Sequence, residues 1–138
     1  MAVRNFAFHS DPSTDSRKSD VAAQLSSLGS FRNLHRGWDS YEAEPPSETA
    51  LENAQRFIRF LMDSESSLPV RVAPSAEGGV TLVLSSGGSR YADIECFNDG
   101  EVLAIISEPA QEPTIWPVTL DEEDLGTVLA QITIFLDA

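Results

Sequence analysis

Positive charge is missing from the chain beyond Arg90. Residues 91–138 contain eleven Asp and Glu but neither Lys nor Arg, whereas residues 1–90 contain the other eleven acids and all nine basic residues. The formal net charge of the 138 residues is −13. Charge of one sign sets the long-range field that a partner meets. It argues against DNA, RNA or an anionic membrane as a direct partner, and it favours a basic protein surface, such as that of a nucleic-acid-binding protein.

Cysteine and long apolar runs are also scarce. The single cysteine, Cys96, excludes an internal disulfide and a cysteine-based metal site. No stretch approaches the roughly 18 consecutive apolar residues of a membrane-spanning helix, and residues 1–6 lack the apolar run of a signal peptide. We therefore expect a reduced, cytoplasmic protein that has no contact with a membrane.

The residues that usually carry catalysis are few. The two histidines, His9 and His35, have no nucleophile at a recognisable spacing. No phosphate loop, dinucleotide fingerprint or zinc pair is present, so the sequence predicts neither a cofactor nor a metal. Carboxylates are abundant, and a carboxylate-based hydrolase remains the less favoured alternative to a protein without catalytic activity.

Apolar spacing predicts three helices. The first should start with Ser19 or Asp20 as its N-cap and stop at Gly37, leaving residues 1–18 as a flexible segment. The second should be capped by Ser47 and end within residues 63–67. The third should begin at a capping box formed by Thr119 and Glu122.

Between the second and third helices the apolar period changes to two, which is typical of half-buried strands. Short connections such as Asn98-Asp99-Gly100 favour hairpins. We predict a single α+β domain over residues 19–138. It is a two-layer sandwich in which an antiparallel meander of three to five strands follows two helices and precedes one.

Two groups of acids are candidate partner-binding residues. Asp121, Glu122, Glu123 and Asp124 form a run that either binds a basic partner or simply complements the dipole of the third helix, and the second interpretation is favoured. Asp93, Glu95, Asp99 and Glu101 should share the outer face of one hairpin, where they serve either solubility or a cationic partner.

Trp38 and Tyr41 form an aromatic pair in the turn-rich connection before the second helix. One interpretation is a binding anchor, since Trp and Tyr dominate interface hot spots. The favoured interpretation is a lid, in which both rings fold back over the helix pair and Asp39 caps the turn.

The stretch Gly37-Trp-Asp-Ser-Tyr-Glu-Ala-Glu-Pro-Pro46, followed by a helix and a strand meander, resembles an uncharacterised group of small bacterial proteins. These proteins share a Trp-Asp-Gly/Ser-Tyr-x-Ala-x-Pro stretch, and the likeness covers about residues 31–107. The resemblance implies a bacterial or mobile-element origin and no particular activity. This chain has Ser40 where the group more often has Gly.

The sequence therefore favours a non-catalytic acidic module that occupies a basic surface of another protein. Inhibitors, antitoxins, immunity proteins and nucleic-acid mimics act in this way. The alternative is an assembly module that homodimerises, because Val83, Leu103 and Ile105 give the sheet a second, partly apolar face.

Overall fold

The computed structural model describes residues 12–64, 66, 68–84 and 88–137, with the backbone alone for residues 12–20. In this part of the chain it places five β-strands and three α-helices. The strands are β1 (Arg71–Pro74), β2 (Gly79–Val83), β3 (Tyr91–Phe97), β4 (Val102–Ser107) and β5 (Thr114–Pro117). The helices are α1 (Pro12–Ser30), α2 (Glu48–Asp63) and α3 (Glu122–Asp137), and a short 3-10 turn at Phe31–Asn33 follows α1.

The strands form one antiparallel meander in the order β1-β2-β3-β4-β5. Each strand pairs with the strand that precedes or follows it in sequence, because the short connections leave only antiparallel neighbours within reach. Two helices precede the sheet and one follows it. The predicted α+β fold is confirmed.

One face of the sheet carries the core. Side chains alternate between the two faces of a strand, and a buried row crosses β1 to β4 at Val72, Leu82, Ile94 and Ala104. The helices cover this face with side chains that are at most 4% exposed: Leu28, Ala54, Phe57, Ile58, Val128 and Ile132. The described helices all pack on this side, which leaves the other face of the sheet open to solvent.

The first helix differs from its prediction at both ends. It begins at Pro12 rather than at Ser19 or Asp20, and the fixed φ and missing N–H of proline suit the first turn of a helix. It ends at Ser30, one residue after Gly29, instead of continuing to Gly37. Glycine weakens a helix interior, and the chain tightens there into the 3-10 turn. Residues 1–11 of the segment predicted to be flexible lie outside the described residues.

The second helix begins and ends where the sequence predicts. Ser47 is its N-cap, and the Ser47 hydroxyl accepts a hydrogen bond from the backbone N–H of Ala50 at 3.1 Å. The last helical residue is Asp63. The apolar stripe of this helix is buried along its length, so α2 is the main contribution of the helical layer to the core.

The third helix begins two residues later than a cap at Thr119 would place it. Its first residue is Glu122. The side chain of Asp121, not that of Thr119, accepts from the first helical turn: Asp121 Oδ1 receives the backbone N–H of Asp124 at 2.8 Å. In return Asp124 Oδ2 accepts the backbone N–H of Thr119 at 2.7 Å. The predicted box at Thr119 and Glu122 is therefore wrong, and the cap is made by Asp121 and Asp124.

Arg90, the last cation in the sequence, holds the other end of α3. Its Nη1 donates to the carbonyl oxygen of Phe135 at 3.1 Å, and its guanidinium lies 5.4 Å from the centroid of the Phe135 ring. Its Nε also bonds to Glu108 Oε2 at 3.0 Å. A cation near the last carbonyls of a helix satisfies them and complements the helix dipole. This residue thus ties the beginning of β3 to the end of α3.

Candidate partner-binding surface

The open side of the sheet, hereafter the outer face, has two carboxylates at its centre and apolar side chains around them. Asp93 and Glu95 lie on β3, the middle strand. In the strand register Asp93 stands between Val83 and Ile105. Glu95 stands between Thr81 and Leu103, Ile115 lies beyond Ile105, and Tyr91 precedes Asp93 on the same side. On β2 to β5 the outer face therefore consists of Thr81, Val83, Tyr91, Asp93, Glu95, Leu103, Ile105 and Ile115. The exposed Arg71 extends the row of Asp93 onto β1.

Burial shifts the titration of both central carboxyls. Desolvation raises the pKa of Asp93 above its ordinary value. Desolvation likewise raises the pKa of Glu95, although a hydrogen bond from the Thr81 side chain partly opposes this effect. Removal of water disfavours the charged form of an acid. The outer face thus carries two acids whose charge is poorly solvated even before a partner covers them.

No cation of the described residues forms an ion pair with either carboxylate. The ion pairs lie elsewhere: Arg32 with Glu48, Arg36 with Glu44, and Arg90 with Glu108. Arg71 shares the row of Asp93, but it stands on the edge strand β1, two strands away. Two strand spacings correspond to about 9.6 Å between backbones. The negative charge of the outer face is therefore available to an outside group.

A second acidic surface lies at one end of the sheet. Pro117 pairs with Leu103, and the backbone N–H of Val118 donates to the carbonyl of Val102 at 2.9 Å. This pairing brings the chain that enters α3 beside the turn between β3 and β4. The residues gathered at this acidic end are Asp99, Glu101, Asp121, Glu122, Glu123 and Asp124. All of them are exposed except Asp124, which is half-buried.

Part of this acidic end has a structural role. The hydrogen bond from the backbone of Asp124, followed by that from the Thr119 hydroxyl, lowers the pKa of Asp121 below its ordinary value. Asp99 Oδ1 accepts the backbone N–H of Glu101 at 2.9 Å and so shapes the turn. Within the described residues, the carboxylates of Glu122 and Glu123 accept no such bond, and both side chains are exposed.

The aromatic pair does not form the predicted lid. Asp39 caps the turn as expected, because its Oδ1 accepts the backbone N–H of Tyr41 at 2.9 Å. Trp38 is half-buried and donates from Nε1 to the carbonyl of Glu44 at 3.1 Å. Tyr41, however, is 83% exposed. The lid interpretation is therefore wrong for Tyr41, whose ring is exposed although Asp39 caps the turn as predicted.

The loop of Trp38 and Tyr41 leads to the same end of the molecule as the acidic residues. Its last part is held by Asn98, whose Nδ2 donates to the carbonyl of Pro45 at 3.1 Å. The neighbouring Gly100 carbonyl accepts from Asn53 on α2 at 3.4 Å. Ser40 has φ +72, a left-handed conformation that favours glycine. This conformation gives a physical reason for glycine at that position of the motif.

The structure thus divides the ten predicted binding residues. It places Asp93 and Glu95 at the centre of the outer face, and it places Asp99 and Glu101 in the turn between β3 and β4, at the same end of the sheet as the run from Asp121 to Asp124. Sequence reasoning missed Tyr91, which is 51% exposed, and Ile115, which is 55% exposed, as members of the outer face. Their two-residue alternation with Asp93 and their place in a meander were the signals that could have identified them.

The described residues offer little to nucleophilic or metal chemistry. Cys96 is buried, and desolvation raises the pKa of its thiol to about 12. His35 is exposed, and His9 lies outside the described residues. Within the described ranges no three His, Cys, Asp or Glu side chains meet as a metal site. None of the described helices has both the length and the apolar character that crossing a membrane requires.

No protein-family model, curated protein or solved structure matches this chain. The likeness to small bacterial proteins with the Trp-Asp-Gly/Ser-Tyr stretch therefore remains an expectation from the sequence.

Proposed function

We propose that this protein is a non-catalytic binding module that occupies a basic surface of another protein through its outer face. The role suits an inhibitor, an antitoxin or an immunity-like protein of the bacterial cytoplasm. Its partner is then a basic protein, such as a nucleic-acid-binding enzyme whose groove the acidic surface fills in place of nucleic acid.

The observation that carries the proposal is the pair Asp93 and Glu95. Two half-buried carboxylates without an ion-pair partner among the described residues are a cost to the isolated fold, because their charge is partly desolvated. Apolar neighbours on β2, β4 and β5 add area that a partner could bury. A surface that combines apolar contact with uncompensated negative charge is complementary to a basic protein.

The acidic end contributes in a different way. Its exposed carboxylates remain hydrated, so they add little affinity at contact. Their field acts over roughly 8–10 Å at physiological salt. We assign the acidic end to the attraction and orientation of a basic partner and the outer face to the contact itself.

The proposal is tested by capture from an extract of the cells that make the protein, followed by binding measurements with the purified protein that is retained. The test variant is Asp93→Asn with Glu95→Gln. The matched control is Asp63→Asn with Glu112→Gln, which removes the same charge from exposed positions at the end of α2 and in the β4–β5 connection. We expect the retained protein to be basic. Its Kd should rise by tenfold or more, which corresponds to about 1.4 kcal/mol or more, with the test variant and not with the control.

Two results would contradict the proposal. One is the retention of no basic protein at low salt. The other is an equal affinity of the two charge variants for the retained protein, which would mean that net charge and not the outer face is responsible. Both variants should have the circular dichroism spectrum of the unmodified chain, since neither changes a buried apolar residue.

A homodimer formed through the outer face is the second candidate, favoured by the 55% exposure of Ile115 and by the apolar residues beside it. Face-to-face association would bring the carboxylates of Asp93 and Glu95 close to those of a second copy. Like charges at short range oppose such contact. We therefore rank this candidate below a basic partner. Sedimentation at micromolar concentration and neutral pH separates the two, because the first candidate predicts a monomer.

A further inference from the structure

The spacing of the two central carboxylates indicates which kind of cation the partner presents, in addition to the sign of its charge. Asp93 and Glu95 are two positions apart on one strand, so both side chains leave the sheet on the same side. Their Cα atoms are separated by about 6.6–6.8 Å along the strand. At this separation, one planar cationic group placed between the two side chains can contact both carboxylates.

The surroundings of the pair determine which cation fits. On either side of β3 stand Val83 and Ile105 in one row, and Thr81 and Leu103 in the next. A group that reaches the carboxylates must pass along these side chains and lose much of its water. An ammonium ion is compact and strongly hydrated, whereas a guanidinium is weakly hydrated and has five N–H donors in a plane. Desolvation therefore favours arginine over lysine at this position.

We propose that the partner contacts the outer face with an arginine in an otherwise apolar segment, and that the guanidinium bonds to Asp93 and Glu95 together. This inference rests on the proposed function and names the chemistry of the same site. The methylene stem of the arginine packs against Leu103 and Ile105, while Thr81 holds the Glu95 carboxylate in place. A second copy of the chain is a poorer occupant, because its outer face presents the same two acids and its described strands carry one cation, Arg71, on the edge strand β1.

Two synthetic peptides test the inference without knowledge of the natural partner. They share one leucine and alanine framework and differ only in having arginine or lysine at every basic position. Their Kd for the full chain is measured by fluorescence anisotropy at one ionic strength. We expect the arginine peptide to bind several-fold more tightly. That preference should fall to about one in D93N/E95Q and persist in the matched variant D63N/E112Q. Side-chain carboxyl resonances of Asp93 and Glu95 should shift on addition of the arginine peptide.

Equal affinity for the two peptides would overturn the arginine assignment, as would a preference that survives in D93N/E95Q. These results leave the proposed function intact if a basic protein is still captured and still depends on the outer face. Capture that is independent of the outer face would remove the proposed function as well. The two failures are therefore distinguishable, because the peptide ratio reports the kind of cation and the capture reports the surface.

Discussion

Asn98 and Ser47 are 51 positions apart and are joined by two hydrogen bonds. The backbone N–H of Ser47 donates to Asn98 Oδ1 at 2.7 Å, and the Ser47 hydroxyl donates to the Asn98 carbonyl at 3.1 Å. The first bond satisfies a donor just before α2, and the second fixes the turn that carries Asp99. One contact thus locks the start of a helix to the acidic end of the sheet.

Replacement of Asn98 by Ala should lower the free energy of unfolding by about 1–3 kcal/mol, since it leaves the Ser47 N–H and the Pro45 carbonyl without their partner. Asn98→Asp keeps the acceptor and loses the donor, so its loss should be smaller. Urea unfolding followed by circular dichroism measures both. The exposed Asn33 provides the control, and equal stability of the Asn98→Ala and Asn33→Ala variants would refute the assignment.

Gly79 should not tolerate a side chain. Its φ is +119, and a Cβ atom there would overlap the carbonyl oxygen of Cys96. Gly79→Ala must therefore separate β2 from β3, and we expect a large drop in the midpoint of thermal unfolding or no folded protein at all. Gly126, inside α3, has no atom within 4 Å of the equivalent position. Gly126→Ala should instead stabilise the protein by about 0.5–1 kcal/mol.

The pH dependence of stability should carry the signature of the outer face. Desolvation raises the folded-state pKa of Asp93 and of Glu95 above their ordinary values of 3.8 and 4.5. A raised pKa gives a stabilising contribution that is complete below the ordinary value and is lost as the pH rises through the folded-state value. D93N/E95Q removes this loss. The variant should therefore be more stable than the unmodified chain at neutral pH, with the difference shrinking in acid.

Asp121 should show the opposite sign. Hydrogen bonds from the first turn of α3 lower its pKa below 3.8, so its contribution exists above the ordinary value and disappears as the pH falls through the folded-state value. Asp121→Ala should therefore destabilise the protein at neutral pH and have less effect in strong acid. Urea unfolding at a series of pH values compares the two variants directly. Parallel pH profiles would contradict both assignments.

Glu122 and Glu123 should affect the rate of partner binding rather than stability. Their combined replacement by Gln leaves the cap made by Asp121 and Asp124 intact. With the captured partner, association should slow and its salt dependence should weaken, while dissociation changes less. Stopped-flow kinetics at several salt concentrations measures these quantities. If a folded variant kept the association rate constant of the unmodified chain, the acidic run would have no role beyond starting α3.

Local signals in the sequence were sufficient for α2 and for the sheet. Ser47 is followed by an apolar stripe with the helical period of about 3.6 residues, whereas the strand segments alternate with a period of two. The fold class therefore follows from the apolar pattern and the turn residues. The start of α3 was not decidable in this way. Thr119 with Glu122 and Asp121 with Asp124 both match the spacing of a cap. The choice depends on tertiary contacts of Leu120, which is buried, has φ +73 and accepts from Arg56 of α2.

The candidate site was predictable in its residue types but not in its arrangement. The side of the sheet on which Asp93 and Glu95 lie followed from alternation. The position of the run at Asp121 near Asp99 depended on the register of β5 against β4. The backbone N–H of Val118 bonds to the carbonyl of Val102, which directly follows the turn that carries Asp99. The exposure of the Tyr41 ring, in the turn that Asp39 caps, had no signal in the sequence. An average tendency of aromatic rings to be buried could not reveal it.

The meander also sets how quickly the protein becomes available to a partner. Since every strand pairs with a neighbour in sequence, the sheet can form hairpin by hairpin without a crossover connection. The contacts of greater sequence separation, such as Gln24 with Val72 and Ser47 with Asn98, join α1 and the start of α2 to the sheet and its turn. Contacts of short sequence separation favour folding on the order of milliseconds. We therefore expect a purified copy to refold without a chaperone, so that the proposed basic partner would meet an outer face that is already formed.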